Sequence, residues 1–366
     1  MNIDNLSLEE KIGQMCMVGI NSENIDCLYE LIKNNKIGGV ILYKKNYSSY
    51  EDLLNVIKKL KDANKNNKIP LFISIDQEGG RVNRMPKELV NVKNVFDLSS
   101  LNDTKLIRRS ADITTKMLFE SGINMNFAPV LDIYNESNSN VLYKRCFSNN
   151  VDLVSKYGPL YMKQMQRGGV IPVVKHFPGH GSSVRDSHFF IPYVKNYEEI
   201  LNKHIIPYEN AISNGCDAIM VGHIVIKKLT DRLPASISKG FIENYLRKRY
   251  NYDGLIITDD IKMGSVSLLY KFSAFNKAFS SGSDIILFKY NNGDEKVINR
   301  IVDKVKKGSI DILGINKSVD RILRIKSKYK INDKDFSGCN INEINKEINS
   351  INKACEEGVV DGKEGK

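Results

Sequence analysis

The sequence has no tryptophan, few cysteines and no long apolar run. Without Trp in 366 residues, any surface that stacks on a ligand must use Tyr or Phe rings. No run approaches the roughly 18 apolar residues of a membrane span, and the first ten residues lack the basic flank and apolar stretch of a secretory signal. We therefore expect a cytoplasmic protein with no membrane partner, unless a leader was removed from the chain.

The six cysteines are too few and too scattered to form a disulfide scaffold or a zinc site, and no two of them are spaced as Cys-x-x-Cys. We expect reduced thiols and no metal. The cysteines are Cys16, Cys27, Cys146, Cys216, Cys339 and Cys355.

The chain is basic, with 54 Lys and Arg against 43 Asp and Glu and a formal net charge of +11. Such a charge can attract a polyanion. However, the lysines are spread among Asn and Ile residues without a dense cluster, and the sequence has no nucleic-acid-binding motif. We expect a solvated, lysine-rich surface and no nucleic-acid partner.

Eight short apolar runs predict eight strands. Each run is rich in Val, Ile, Leu, Met or Phe and is nearly continuous in apolar character, which is typical of parallel strands buried on both faces. The runs are residues 15–20, 39–43, 71–76, 124–130, 170–177, 216–223, 254–260 and 283–288.

Segments with helical periodicity separate these runs. A capping box at residues 7–10 opens the first helix, and Leu53, Ile57 and Leu60 recur at helical spacing in a later one. Strands that alternate with helices form right-handed βαβ units. Eight such units predict a closed (β/α)8 barrel as the catalytic domain in residues 1–330, with an open doubly wound sheet as the alternative.

Residues 175–188 are the segment richest in potential catalytic groups, since they contain three of the five histidines. They leave the fifth predicted strand, and the active residues of a (β/α)8 barrel lie at the carboxyl ends of its strands. Asp186 and His188 are two positions apart, so in an extended loop the carboxylate can hold the imidazole and stabilise its protonated form. The pair predicts a general acid/base that works near neutral pH.

Two further segments place polar groups at strand ends. Asp259 and Asp260 end the seventh run. Because neighbouring residues of a strand point to opposite faces, we expect at most one of them to face straight into the barrel mouth and the other to cap the next helix or pair with a cation. Residues 76–84 begin with Asp76, end with Arg84 and enclose two adjacent glycines. Such groups suit the hydroxyls and amides of a sugar.

These three segments resemble glycoside hydrolase family 3, and specifically its β-N-acetylglucosaminidase branch. The Lys-His-Phe-Pro-Gly-His-Gly string and the following Asp-Ser-His are similar to the signature of that branch, whereas the β-glucosidase branch lacks the Asp-Ser-His loop. The resemblance runs from about residue 6 to residue 329. It implies a retaining exo-β-N-acetylglucosaminidase without a cofactor. Its implied substrates are small carbohydrates, namely peptidoglycan fragments in which N-acetylglucosamine is linked to muramic acid, so that the enzyme would serve cell-wall recycling.

The resemblance also implies roles for individual residues. Asp259 would be the nucleophile that forms a covalent glycosyl-enzyme, His188 the acid/base and Asp186 its partner. Cys146 stands where serine is common in the family and Asn83 where glutamine is common. Neither departure removes an implied catalytic group, but the resemblance does not define the finer substrate contacts. The implied substrate-binding residues are Asp76, Arg84, Arg145, Lys175 and His176.

Three alternatives stay open at the level of the sequence. A histidine acid/base leaves the second step less charged than a carboxylate would, so phosphate could replace water and make the enzyme a phosphorylase. A non-catalytic sugar-binding barrel would need only the substrate-binding residues. A metal-dependent barrel hydrolase would normally need His-x-His after an early strand, and the sequence has none. The sequence does not indicate an oligomeric state.

Residues 331–366 form a polar tail in which Ile341, Ile344, Ile348 and Ile351 predict one amphipathic helix before a disordered end. Longer members of the family carry a second domain after the barrel. The helix could begin such a connection or pack on the barrel, and the pattern leaves both open.

Overall fold

The computed structural model describes residues 3–135, 142–180, 192–194 and 196–361. Its strands match the eight predicted runs and include two further short strands. In chain order the strands are β1 (Cys16–Gly19), β2 (Gly39–Leu42), β3 (Phe72–Ile75), β4 (Met125–Asn126), β5 (Ile171–Phe177), β6 (Tyr193–Val194), β7 (Ala218–Val221), β8 (Val225–Ile226), β9 (Leu255–Thr258) and β10 (Ile286–Lys289).

Eight parallel strands form a barrel. Their order of hydrogen bonding is β10-β1-β2-β3-β4-β5-β7-β9, and β6 pairs with β8 in a separate sheet. A parallel bridge between Ile257 and Ile285 joins the last strand in this order to the start of the first. The predicted (β/α)8 barrel is therefore confirmed, and the open doubly wound sheet is wrong.

Helices surround the barrel, as the alternating pattern predicts. The capping box is present, since the Ser7 hydroxyl accepts from the amide of Glu10 at 3.1 Å and the Glu10 carboxylate accepts from the amide of Ser7 at 2.8 Å. The helices are α1 (Leu8–Gln14), α2 (Asp26–Asn35), α3 (Tyr50–Asn64), α4 (Val95–Ser100), α5 (Thr104–Glu120), α6 (Val151–Arg167), α7 (Tyr197–Glu199), α8 (Ile206–Ser213), α9 (Lys239–Phe241), α10 (Gly264–Tyr270), α11 (Ser273–Ser280), α12 (Lys296–Lys306), α13 (Ile312–Lys328) and α14 (Ile341–Asp361), with π-helical turns at Ile200–His204 and Ile242–Arg249 and 3-10 turns at Ile3–Asn5, Lys44–Asn46 and Ala235–Ile237.

The barrel strands are buried on both faces, which is why their sequences are nearly all apolar. In α3, Leu53, Ile57 and Leu60 form the buried stripe that their spacing predicts. All six cysteines are free thiols, four of them buried. Within the described ranges, no helix is both long and apolar enough to cross a membrane.

The C-terminal helix α14 packs on the side of the barrel, against α4 and α5. Its residues Ile344, Ile348 and Ile351 are fully buried. Arg109 of α5 donates to the carboxylate of Glu347 at 2.8 Å. The end of the tail, residues 362–366, for which we predict disorder, lies outside the described residues.

Helix α13 ties together the amino-terminal ends of the strands, at the pole of the barrel opposite their carboxyl ends. The Lys326 ammonium is fully buried and donates to the side-chain oxygen of Gln14 at 2.8 Å and to the carbonyl oxygens of Gly38 at 2.9 Å and Pro70 at 2.7 Å. These three residues precede β1, β2 and β3. Burial lowers the pKa of Lys326 to about 7. One buried amino group therefore links three strands, and at this pole of a (β/α)8 barrel such links serve stability.

We expect Lys326→Met to lower the free energy of unfolding by about 2–4 kcal/mol, because buried oxygens lose their donor. Lys317→Met, on the exposed side of the same helix, is the matched control and should change stability by less than about 0.5 kcal/mol. Urea denaturation of both variants measures the difference. Equal stability of the two variants would show that the buried ammonium does not hold the pole together.

Candidate active site

A cavity of about 750 Å³ opens at the carboxyl ends of the barrel strands. Tyr43 and Phe127 contribute aromatic rings to its wall, in keeping with the absence of Trp. The structure brings six of the eight sequence-predicted site residues together around this cavity. They are Asp76, Arg84, Arg145, Lys175, His176 and Asp259.

The remaining two, Asp186 and His188, lie outside the described residues. His180 is the last described residue before them in the sequence. It is buried and lines the same cavity. Burial lowers the pKa of His180 to about 4, although the charge of Asp132 acts in the opposite direction. His180 is therefore neutral at neutral pH.

Strand ends position the side chains of the cavity wall. Asp76 directly follows β3, and Asp259 directly follows β9. Lys175 and His176 are neighbours in β5, where strict alternation would send them to opposite faces. The register of β5 against β7 shifts between Val174 and Phe177, and both Lys175 and His176 line the cavity.

Carboxylates and cationic side chains form a row of ion pairs along the cavity wall. The Lys175 ammonium lies 2.7 Å from a carboxylate oxygen of Asp76 and 2.7 Å from one of Glu78. The Arg145 guanidinium donates two hydrogen bonds of 2.7 Å to the two oxygens of Glu78. Burial would raise the pKa of Glu78, but the charges of Arg145 and Lys175 outweigh it and hold that pKa well below its usual range. Glu78 is thus a buried anion held between two cations.

Asp259 is the carboxylate at the end of β9. One of its oxygens accepts from the amide of Asp260 at 2.8 Å. Burial would raise the pKa of Asp259, but the charges of His223, His176 and Lys175 and the amide of Asp260 together lower it. Asp259 is therefore ionised at neutral pH.

Asp260 is in a different environment from its neighbour. One of its oxygens accepts from the amides of Lys262 at 2.9 Å and Lys289 at 3.2 Å, and burial raises its pKa. This carboxylate anchors the turn after β9, close to the predicted capping role. Both Asp259 and Asp260 nevertheless line the cavity, because β9 ends at Thr258 and the alternation of a strand no longer applies.

Three residues outside the predicted set support the wall of the site. Glu78 lies inside the predicted segment 76–84, between Asp76 and Arg84. His223 ends a predicted strand, and its ring bridges the hydroxyl of Ser236 at 2.6 Å and the carbonyl oxygen of Asp260 at 2.8 Å. Asp132 lies 2.7 Å from Nδ1 of His176. Position at a strand end could have indicated His223, whereas the partner of Asp132 is visible only in three dimensions.

Within the described ranges, the side chains of His, Cys, Asp and Glu form no group of three or more that could hold a metal ion. The cavity at the carboxyl ends of the strands, with an ionised aspartate among cationic side chains, defines the chain as a (β/α)8-barrel enzyme. Residues 7–325 match the model of the glycosyl hydrolase family 3 N terminal domain. The chain belongs to this family and is a glycoside hydrolase.

Two relatives and a solved structure resemble most of the chain. A β-hexosaminidase of Psychromonas ingrahamii is 34% identical over 265 residues, which are 70% of this chain and 77% of that protein. An uncharacterized secreted glycosyl hydrolase of Arthroderma benhamiae is 32% identical over 314 residues, 83% of this chain and 88% of that protein. The structure of a family 3 β-N-acetylglucosaminidase from a Paenibacillus species superposes with a TM-score of 0.88 at 31% identity, covering 94% of this chain and 68% of that one.

We expect Glu78→Gln to raise KM at least about tenfold and to lower the free energy of unfolding by about 3 kcal/mol, because Arg145 and Lys175 lose the charge that compensates them. The exposed pair of Arg109 and Glu347 supplies a control: Glu347→Gln should cost less than about 1 kcal/mol. Steady-state kinetics and denaturant titrations measure both effects.

The pH dependence of stability follows from the lowered pKa of Glu78. The stabilisation is complete above the ordinary pKa of a glutamate, about 4.3, and is lost as the pH falls from there towards the folded pKa. The difference in unfolding free energy between the wild type and Glu78→Gln should therefore shrink in acid. A difference that stayed constant with pH would contradict an ionised Glu78.

Proposed function

We propose that the protein is a retaining exo-β-N-acetylglucosaminidase that works through a covalent glycosyl-enzyme on Asp259. The β-hexosaminidase and β-N-acetylglucosaminidase names of its relatives support the substrate class. The observation that carries the mechanism is the charge state of the carboxylates in the cavity. Asp76 and Glu78 are bound by cations, and Asp260 has a raised pKa. Asp259 is ionised, and the described residues place no cation within ion-pair distance of it.

In the first step, Asp259 attacks the anomeric carbon while protonated His188 gives its proton to the leaving oxygen. In the second step, neutral His188 takes a proton from water, and this water releases the sugar from Asp259 with the β configuration retained. Asp186 holds the imidazole of His188 and stabilises its charged form. Because the pKa of Asp259 is lowered, the nucleophile is charged before the substrate arrives.

The cations and carboxylates around Asp259 would bind the hydroxyl and acetamido groups of the terminal sugar. Asp76 and Lys175 are held to each other, so they present a donor and an acceptor in fixed positions. Arg145 is fixed by two hydrogen bonds to Glu78. Arg84 and His176 complete the set on the cavity wall. Rigid partners of this kind suit a pyranose with polar groups on every carbon.

The substrate we propose is a peptidoglycan fragment with N-acetylglucosamine linked to a muramic-acid unit, cleaved in the cytoplasm during cell-wall recycling. The free thiols of the six cysteines are compatible with a reducing compartment. Detection of the protein in the soluble fraction of lysed cells, and its absence from the medium, would support this location. Recovery from the medium would contradict it.

We expect an N-acetylglucosamine analogue with a fluorine on the sugar ring and an activated leaving group to label Asp259. The fluorine slows both steps, whereas the good leaving group restores only the formation of the covalent intermediate. Mass spectrometry of peptides locates the label, and fragment ions distinguish Asp259 from Asp260 next to it. Asp259→Asn should abolish labelling and turnover. A label on Asp260, or full activity of Asp259→Asn, would refute the assignment of the nucleophile.

His188→Ala tests the acid role and the substrate together. With an aryl β-N-acetylglucosaminide, whose leaving group needs little protonation, we expect a modest loss of kcat/KM. With an N-acetylglucosamine–muramic acid disaccharide the loss should be about 10²- to 10⁴-fold. Asp186→Asn should give smaller losses and a shifted pH profile. Equal losses on both substrates would contradict the acid role.

The same assay reports on the substrate and on the accepting molecule. A wild-type enzyme that cleaves the aryl substrate but not the disaccharide would exclude the proposed natural substrate. Formation of sugar 1-phosphate in phosphate buffer would favour a phosphorylase.

A further inference from the structure

Asp132 lies in the connection after β4 and is fully buried behind the cavity wall. One of its oxygens accepts from Nδ1 of His176 at 2.7 Å and from the amide of His176 at 3.3 Å. The other accepts from the amide of His180 at 2.5 Å and lies 3.4 Å from the hydroxyl of Tyr208. Burying a carboxylate is costly unless donors surround it. Four donors surround the carboxylate of Asp132, and both of its oxygens are hydrogen-bonded within the protein.

Three of these four donors belong to residues 176–180, the turn that leaves β5. The amide of Gly179 donates to the carbonyl oxygen of His176 at 2.8 Å and closes the turn. Gly179 has φ +118°, and a Cβ at this position would lie 2.6 Å from the Cβ of His204. The turn is therefore confined in space, and Asp132 bonds to both of its ends.

The hydrogen bond to Asp132 determines which ring nitrogen of His176 can contact a ligand. His176 lines the cavity with Lys175 and Asp259. Because Nδ1 is engaged by Asp132, Nε2 is the ring nitrogen left for a ligand. Burial would raise the pKa of Asp132, but the charge of His176, its hydrogen bond and the amide of His180 lower it. An ionised Asp132 accepts a hydrogen bond and therefore keeps a proton on Nδ1 of His176.

We propose that Asp132 is a positioning residue that fixes the imidazole of His176 for sugar binding. Its carboxylate accepts from Nδ1 and from the amide of His176. It also accepts from the amide of His180, so that both ends of the turn at residues 176–180 are held by one side chain. The inference rests on the proposed function, since it needs the cavity to bind a terminal sugar. It adds a residue that does not touch the substrate but positions one that does.

The test is a double-mutant cycle that combines His176→Ala with Asp132→Asn, which keeps the size of the side chain and removes its charge. Alone, we expect Asp132→Asn to raise KM and to lower kcat/KM about 10- to 100-fold. In a His176→Ala background its effect on KM should fall to about twofold or less. A residue that only stabilises the fold would give the same fold-losses in both backgrounds, which would overturn the proposal.

Asp284→Asn is the matched control. Asp284 is also fully buried and is bound by the side chains of Arg247 and Arg321, but it precedes β10 at the opposite pole. Its substitution should lower the melting temperature without changing KM or kcat. If His188→Ala itself spares the disaccharide, the proposed function fails, whereas the cycle with His176 still reports on Asp132.

If Asp132→Asn does not fold, histidine-¹⁵N NMR of the wild type provides the second measurement. A strong hydrogen bond to a carboxylate moves the Nδ1 proton of His176 far downfield. We expect one such resonance, and we expect it to shift when N-acetylglucosamine is added. A spectrum without that resonance, or one in which it ignores the sugar, would overturn the proposal.

Discussion

The structure of the site depends on one electrostatic constraint, which is that the buried charges of the barrel mouth must compensate one another. Glu78 can be an anion inside the protein only because Arg145 and Lys175 contact it directly. The same contacts fix the two cations in position, and Lys175 in turn fixes Asp76. The side chains that would bind the sugar are therefore held rigidly before it arrives. Preorganised charges of this kind lower the energy of a transition state more than mobile ones do.

The two poles of the barrel use buried ionisable side chains for different purposes. At the amino-terminal pole, Lys326 links the approaches to β1, β2 and β3, and Asp284 bonds to the amide of Ile256 in β9 as well as to two arginines. These charges have no access to the cavity and serve stability. At the other pole, Asp259 and Lys175 face the cavity. Separation of the two sets means that the catalytic loops can be polar and long without weakening the closure of the barrel.

Local patterns in the sequence were sufficient for the fold. Apolar runs gave the eight strands, because parallel strands buried on both faces leave little room for polar residues. The main difference is β4, predicted over residues 124–130 and observed as Met125–Asn126. Pro129 lacks the N–H that a ladder needs, so beyond β4 the described pairing is the isolated bridge between Val130 and Lys175.

Strand ends in the sequence also located Asp76, Lys175, His176 and Asp259. The roles of Asp132 and Glu78 could not be predicted, because their partners are distant in sequence and a carboxylate alone does not reveal which cation it will meet.

The division of labour among the carboxylates follows from what each one contacts. Asp76 and Glu78 share the ammonium of Lys175. Asp260 accepts two backbone amides and is held closer to neutrality by burial. A carboxylate that attacks a sugar must be ionised, must face the cavity and must not be bound tightly by a cation, since an ion pair lowers its nucleophilicity. Asp259 meets all three conditions within the part of the chain that the structure describes. Asp132 fails the second, because it is fully buried behind the cavity wall and both of its oxygens bond to donors of the protein. The environment, more than the residue type, therefore separates the proposed nucleophile from the carboxylates that hold other groups.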